Sequence, residues 1–198
     1  MYGGNDNWIG GPGKPGVLLT LQQAGVWTAT GFPLMCLMVL WTDGWIRYGK
    51  TAMLRYGRMR RWWLCAELEN GMLMAFYLIS LLLLSNSEKS FSGRTEAFFV
   101  LFVHFLFLEH LVLFLRLRGA EWAYAVSIVF LAEGTGIYIF SEYDQAAVFF
   151  PGYWGMWNYC SRSGLSGYHM ETVFLLQAAV TVLILYDTLR KRRIERLL

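Results

Sequence analysis

Five long apolar stretches, separated by polar or charged segments, dominate the pattern of the chain. A transmembrane helix needs about 20 mostly apolar residues to cross about 30 Å of hydrocarbon. The pattern therefore predicts an all-α integral membrane protein that forms a single membrane domain over residues 1–198, with about five hydrophobic helical segments. These segments are residues 17–41, 66–85, 96–115, 121–140 and 169–187.

The segment 44–63, GWIRYGKTAMLRYGRMRRWW, interrupts this pattern with six cations. So many charges are too costly for a membrane span. Aromatic residues such as Trp45, Tyr56 and Trp63 alternate with the cations, which is typical of a helix that lies in the membrane interface. We therefore expect one interfacial amphipathic helix here, and a plain basic loop is the alternative.

The distribution of Lys and Arg predicts the orientation. Residues 42–63 hold six of these cations and residues 190–198 hold five, whereas the segments that five spans would place on the opposite side hold four. Because cytoplasmic or matrix loops carry the excess of positive charge, we expect the N-terminus outside and the C-terminus inside.

The composition excludes several classes of protein. Hydrophobic residues make up 56% of the chain and charged residues 16%, against about 25% charged in a soluble domain. The net charge of +3 is too small to indicate a nucleic-acid partner. Three cysteines without paired or ligand spacing predict neither zinc nor a disulfide framework. No phosphate-binding loop or nucleophile motif is evident, so we expect no cofactor, no bound metal and no covalent chemistry by this chain alone.

Ionisable residues inside the apolar stretches carry the functional information, because each is expensive in lipid and tends to face a partner or water. Glu109 and Arg116 are two helical turns apart, about 10 Å along one face of an unbroken helix, and Glu121 and Glu133 lie further along the chain. This pattern indicates a proton or ion path. Alternatively, Arg116 anchors a turn, Glu109 and His110 form a structural pair, and a polar residue such as Gln177 only joins two helices.

Two segments, LRLRGAEWA at residues 115–123 and METVFLLQAAVTVLILYDTL from Met170, resemble parts of subunit a of rotary F-type ATP synthases. LRLRGAEWA, residues 115–123, is similar to the signature around that subunit's essential arginine, with Arg116 in its place. METVFLLQAAVTVLILYDTL, which begins at Met170, resembles the final helix of the subunit, and Gln177 and Tyr186 carry the match. The chain departs from the family at Ala125, where an acidic residue or histidine is usual, and at Glu171, which lies six and not seven positions before the glutamine.

This resemblance implies a stator subunit that conducts protons through two half-channels to and from the carboxylates of a c-ring, with Arg116 preventing a short circuit. It also implies a long tilted C-terminal helical hairpin, in which residues 96–140 form one long helix or two spans, followed by an outer loop, 141–168, and a C-terminal helix, 169–197. The residues expected to translocate protons are Arg116, Gln177, Glu171, Glu121, Glu109, Glu133, His110 and His169. The resemblance further implies that Gln177 lies near Arg116 as a hydrogen-bonding partner.

The implied partners are the c-ring, the other stator subunits of the Fo sector and membrane lipids. The implied location is the mitochondrial inner membrane, with the C-terminus on the matrix side, and a bacterial plasma membrane is the second choice. Two other functions stay open. The chain could be an accessory structural subunit of a respiratory or ATP synthase complex without proton conduction of its own, or a small independent transporter or lipid-handling protein.

Overall fold

The computed structural model describes residues 21–49, 51, 59–84, 91–140, 151–155 and 170–190. This part of the chain folds into helices without strands, so the expected all-helical class is confirmed for it. Its elements, in chain order, are α1 (Leu21–Arg47), α2 (Met59–Leu84), α3 (Phe91–Leu117), α4 (Trp122–Phe140), a 3-10 helix (Pro151–Gly155) and α5 (Met170–Arg190).

Three of these helices contain a segment long and apolar enough to cross a membrane: Trp27–Arg47, Arg61–Leu83 and Thr95–Leu117. Two shorter apolar segments, Trp122–Ile137 and Phe174–Asp187, lie in α4 and α5. The outer face of α2 is apolar along most of its length, with large exposed side chains at every third or fourth position. These are Leu64, Leu68, Met72, Phe76, Ile79 and Leu83.

Helix α3 is at the centre of the bundle and contacts every other described helix, including the 3-10 helix. Its positions Leu101, Phe105, Leu108 and Val112 follow a spacing of three or four residues, so they lie along one side of the helix and are buried in the main core. Side chains of α1 and α4 complete this core. Because α3 is surrounded, its polar side chains must find partners within the protein.

One end of the bundle gathers the end of α1, the start of α2, the end of α3, the start of α4 and the end of α5. Trp62 and Trp63 are buried there against Leu113, and Trp45 and Leu185 pack against the same cluster. The helices therefore alternate in direction. We call this the basic end, because the helices carry arginines there: Arg47, Arg61, Arg116, Arg118 and Arg190.

The expected interfacial helix over 44–63 stays a prediction, because residues 50 and 52–58 lie outside the described residues. α1 continues to Arg47 and α2 begins at Met59, so both ends of the segment belong to the flanking helices. Gly49 and Thr51, between these two helices, are also helical. Trp63 is buried within the bundle, and Trp45 of α1 donates a hydrogen bond to Glu69 of α2 at 3.0 Å.

The chain turns sharply between α3 and α4, so residues 96–140 form two helices and not one long helix through Arg116. Gly119 has a φ of 102°, a conformation that side chains with a Cβ rarely adopt. Its amide donates to the carbonyl of Arg116, and the amide of Ala120 donates to the carbonyl of Leu115. This pair of bonds is a Schellman motif, which ends a helix at a glycine.

Gly119→Ala distinguishes this turn from a continuous helix. We expect it to lower the free energy of unfolding by about 1–2 kcal/mol, the cost of a left-handed conformation for a residue with a Cβ. Thermal or denaturant unfolding in detergent measures the change. Gly25→Ala in α1 is the control, because a Cβ there has nothing within 4 Å. In a continuous helix Gly119→Ala would stabilise the protein by about 0.5–1 kcal/mol, so a gain in stability would contradict the turn.

Candidate functional site

Two buried histidines of α3 organise two separate polar clusters. His104 and His110 are six positions apart, which on a helix is a rise of about 9 Å and a rotation of about 120° from one face to another. They consequently meet different neighbouring helices. Both imidazoles are almost completely buried, with exposed fractions of 0% and 2%.

The first group, which we call the His104 cluster, joins Trp27 of α1, His104 of α3, Glu133 of α4 and Gln177 of α5. His104 Nε2 lies 2.9 Å from Glu133 Oε1, and His104 Nδ1 lies 3.2 Å from Gln177 Oε1. The indole of Trp27 donates to the same oxygen of Glu133 at 3.0 Å. Four helices therefore each supply one polar side chain to a single buried network.

The hydrogen bonds of the His104 cluster allow a proton to be held between two groups. With Gln177 Oε1 accepting from Nδ1, the contact between Nε2 and Glu133 has two forms. Either an imidazolium donates to a carboxylate, or a protonated carboxyl donates to a neutral imidazole. The two forms differ by the transfer of one proton across 2.9 Å. The indole of Trp27 can only donate, so it stabilises negative charge on Glu133.

The 3-10 helix covers His104 with backbone. A Cβ placed on Gly155 would overlap the imidazole of His104, at 2.6 Å from its Cγ. Only glycine lets the chain approach the ring this closely. The predicted outer loop 141–168 thus contributes directly to the site through Gly155, and its residues 141–150 and 156–168 lie outside the described part.

The second group, the His110 cluster, lies closer to the basic end and consists of Glu67, Asn70, Glu109 and His110. Asn70 Nδ2 donates to Glu109 Oε1 at 2.5 Å and to the hydroxyl of Thr42 at 2.9 Å. His110 Nε2 lies 3.6 Å from Glu67 Oε2. This cluster links α2 to α3, with a further contact to the end of α1.

Several atoms of the His110 cluster are buried without a hydrogen-bond partner. They are Asn70 Oδ1, Glu109 Oε2 and His110 Nε2. The other ring nitrogen, His110 Nδ1, lies 2.8 Å from the carbonyl oxygen of Leu106. A carbonyl can only accept, so Nδ1 carries a hydrogen and donates it. In the neutral imidazole Nε2 then presents a lone pair to the cluster.

Arg116 does not meet the residues that the resemblance assigned to it. Its Nη1 donates to the carbonyl of Ala120 at 3.4 Å, and its guanidinium carbon lies 5.6 Å from the centre of the Trp122 ring. Gln177 contacts His104 instead, which is twelve positions before Arg116, or about 18 Å along α3. The expected pairing of Gln177 with Arg116 is therefore wrong.

The other expected site residues divide between these clusters and the surface. Glu133 and Gln177 lie in the His104 cluster, and Glu109 and His110 lie in the His110 cluster. Glu121 is exposed and precedes α4. The backbone of Glu171 lies in α5, but the structure does not describe its side chain. His169 lies outside the described residues.

The sequence analysis missed the partners that come from other helices. Trp27, Glu67, Asn70, His104 and Gly155 were not among the expected site residues. A signal existed for α2: Glu67 and Asn70 are three positions apart, so they share one face of this helix. Nothing in the sequence marks Trp27 or Gly155 as a contact of His104.

Comparison of the chain with protein-family models, curated proteins and solved structures finds no significant match.

Gly155→Ala tests the close packing of the 3-10 helix on His104. The added methyl group must displace the imidazole or the backbone, and overpacking of this kind costs about 1–3 kcal/mol. We expect a lower free energy of unfolding, measured by thermal unfolding in detergent. Gly71→Ala is the matched control, because a Cβ there lies 3.8 Å from Phe102, an ordinary contact. Equal stability of the two variants would show that the helix does not cover His104.

Proposed function

We propose that this chain is the proton-conducting stator subunit of a rotary F-type ATP synthase. The observation that carries the proposal is the pair of histidine and glutamate clusters on two faces and at two levels of α3. Each cluster brings a buried imidazole within 3.6 Å of a carboxylate oxygen. Histidines and desolvated carboxyl groups are the side chains that exchange protons near neutral pH inside a membrane.

In this proposal the clusters belong to two half-channels that do not connect directly. The residues of α3 between His104 and Glu109 include Phe105, Phe107 and Leu108, which are all buried apolar residues. Such a segment offers no group that accepts a proton. A proton entering at one cluster would leave the chain to a carboxylate on the c-ring and return at the other cluster, as the resemblance implies.

The bundle is proposed to cross the membrane with its basic end on the inner side. Three helices have the length and hydropathy to span a bilayer. Arginines lie at one end of the bundle, and the positive-inside rule places such an end on the inner side. With helices that alternate in direction, the N-terminus would lie outside and the C-terminus inside. We propose the mitochondrial inner membrane, and a bacterial plasma membrane is the alternative.

A second candidate, an accessory structural membrane subunit, is favoured by the contacts of Arg116. The guanidinium lies at the end of α3, next to Trp122 and the carbonyl of Ala120. These are the contacts of an arginine that stabilises a turn at a membrane surface. In the first proposal Arg116 instead faces the c-ring and prevents direct proton exchange between the half-channels. A guanidinium is suited to this role because it stays charged.

Glu133→Gln tests proton conduction. The amide has the shape of the carboxyl group but does not accept a proton, so we expect ATP-driven proton pumping by the purified complex to fall about tenfold or more. Acidification of reconstituted vesicles, followed with a pH-sensitive dye, measures the rate. Glu69→Gln is the control, because Glu69 also accepts indole hydrogen bonds, from Trp41 and Trp45, but lies outside both clusters. Unchanged pumping by an assembled Glu133→Gln complex would refute conduction through the His104 cluster.

Arg116→Ala separates the two candidate functions. In a stator proton channel this substitution abolishes coupled pumping while the complex stays assembled. Arg118→Ala is the matched control, since Arg118 also packs on an aromatic ring, 4.3 Å from the centre of Phe114, and is exposed. Normal pumping by both variants would exclude the channel role of Arg116 and favour the structural subunit. Assembly is checked by native electrophoresis of each complex.

A further inference from the structure

The His110 cluster has the donor atoms of a metal site. We propose that Glu67, Glu109 and His110 together bind one divalent transition-metal ion between α2 and α3. One ligand atom from each of the three residues lies within 4.8 Å of the other two. The three residues come from two helices, so the sequence spacing alone gave no sign of the site.

The geometry is close to that of a bound ion. Metal–ligand distances of about 2.0–2.1 Å in a tetrahedral site place neighbouring ligand atoms about 3.3 Å apart. His110 Nε2 and Glu67 Oε2 are already 3.6 Å apart. The three ligand atoms lie within 4.8 Å of one another, so an ion would draw the carboxylate oxygens of the two glutamates closer together.

Two of the three atoms that would bind the ion are buried and have no hydrogen-bond partner. His110 Nε2 and Glu109 Oε2 have none, although His110 is 2% and Glu109 6% exposed. Buried polar atoms without partners are rare, because each loses its interaction with water. A metal ion placed between them would satisfy both atoms at once.

Neighbouring groups hold these ligands in the form that binds metal. The carbonyl of Leu106 accepts a hydrogen bond from His110 Nδ1, which leaves the lone pair on Nε2. Asn70 donates to Glu109 Oε1 at 2.5 Å, which fixes the carboxylate and leaves Oε2 for the ion. Hydrogen bonds of this kind behind the ligands are a general feature of metal sites.

The charges of the cluster also favour a cation. Glu67 and Glu109 bring two carboxylates together, and His110 is the ionisable base that contacts them. Buried like charges are costly unless a cation compensates them. A divalent ion neutralises both carboxylates. One imidazole with two carboxylates is a mixed nitrogen and oxygen set that suits Zn²⁺, Mn²⁺ or Fe²⁺ and not the sulfur-preferring ions.

Zinc binding by the purified full chain in lipid nanodiscs tests the site. After treatment with a chelator, we expect the protein to take up one Zn²⁺ per chain, measured by titration calorimetry and by elemental analysis. Glu67→Gln and Glu109→Gln should each weaken Zn²⁺ binding by about tenfold or more. Loss of a direct metal ligand weakens binding at least as much as loss of a residue that hydrogen-bonds to a ligand. Glu109→Gln also keeps an oxygen that accepts from Asn70, so its fold is retained.

Co²⁺ provides a spectroscopic check on the ligands. Its visible absorption bands reveal a tetrahedral environment, and we expect them to disappear in His110→Asn. Glu133→Gln, in the His104 cluster, is the control and should bind Zn²⁺ and Co²⁺ as the unaltered chain does. Uptake of less than one ion per chain, or uptake that none of the three ligand substitutions weakens, would overturn the proposal.

The site also has a consequence that rests on the proposed function. An ion on Glu67, Glu109 and His110 occupies the atoms that would exchange protons, so Zn²⁺ would inhibit pumping by the complex. The two ideas fail separately. Binding of Zn²⁺ without inhibition would leave the metal site intact and refute the proton path through this cluster. Normal pumping by a complex that binds no Zn²⁺ would refute the metal site and leave the proton path through this cluster intact.

Discussion

The polar side chains of α3 must be satisfied inside the bundle, and most other features of the structure follow from this constraint. A helix surrounded by other helices has no water with which to pair its imidazoles and carboxyl groups. Trp27, Glu133 and Gln177 meet this need on one face of α3, and Asn70 meets part of it on another. The helices pack where they do because each contributes a hydrogen-bonding group as well as apolar surface.

The two clusters differ in how completely they are satisfied. In the His104 cluster both ring nitrogens have partners on other helices, so that cluster fixes the positions of α3, α4 and α5 relative to one another, and one carboxylate oxygen, Glu133 Oε2, stays without a hydrogen bond. In the His110 cluster a ring nitrogen, a carboxylate oxygen and an amide oxygen stay without hydrogen bonds. The first cluster therefore has the character of a structural and proton-sharing network, and the second has that of a ligand site.

The sequence predicted the helical class and the approximate extent of the apolar segments, because long hydrophobic stretches leave few other structures possible. It also identified Glu109, His110, Glu133 and Gln177, since polar residues inside such stretches are rare. It did not predict which helices pair, because every apolar face is compatible with several neighbours. The resemblance therefore placed Gln177 near Arg116, whereas packing places it beside His104. For a similar reason the sequence left open whether residues 96–140 form one long helix or two spans with a turn near Arg116, because hydropathy does not report backbone conformation.

The order of the two clusters along the chain has a consequence for membrane insertion. Asn70 and Glu67, which contact Glu109 and His110, precede α3 in the sequence, as does Thr42, which accepts a hydrogen bond from Asn70. The partners of His104 on α4 and α5 come later. As the chain is synthesised, the His110 cluster can therefore form once α3 is made, whereas the His104 cluster is complete only after α5 is made.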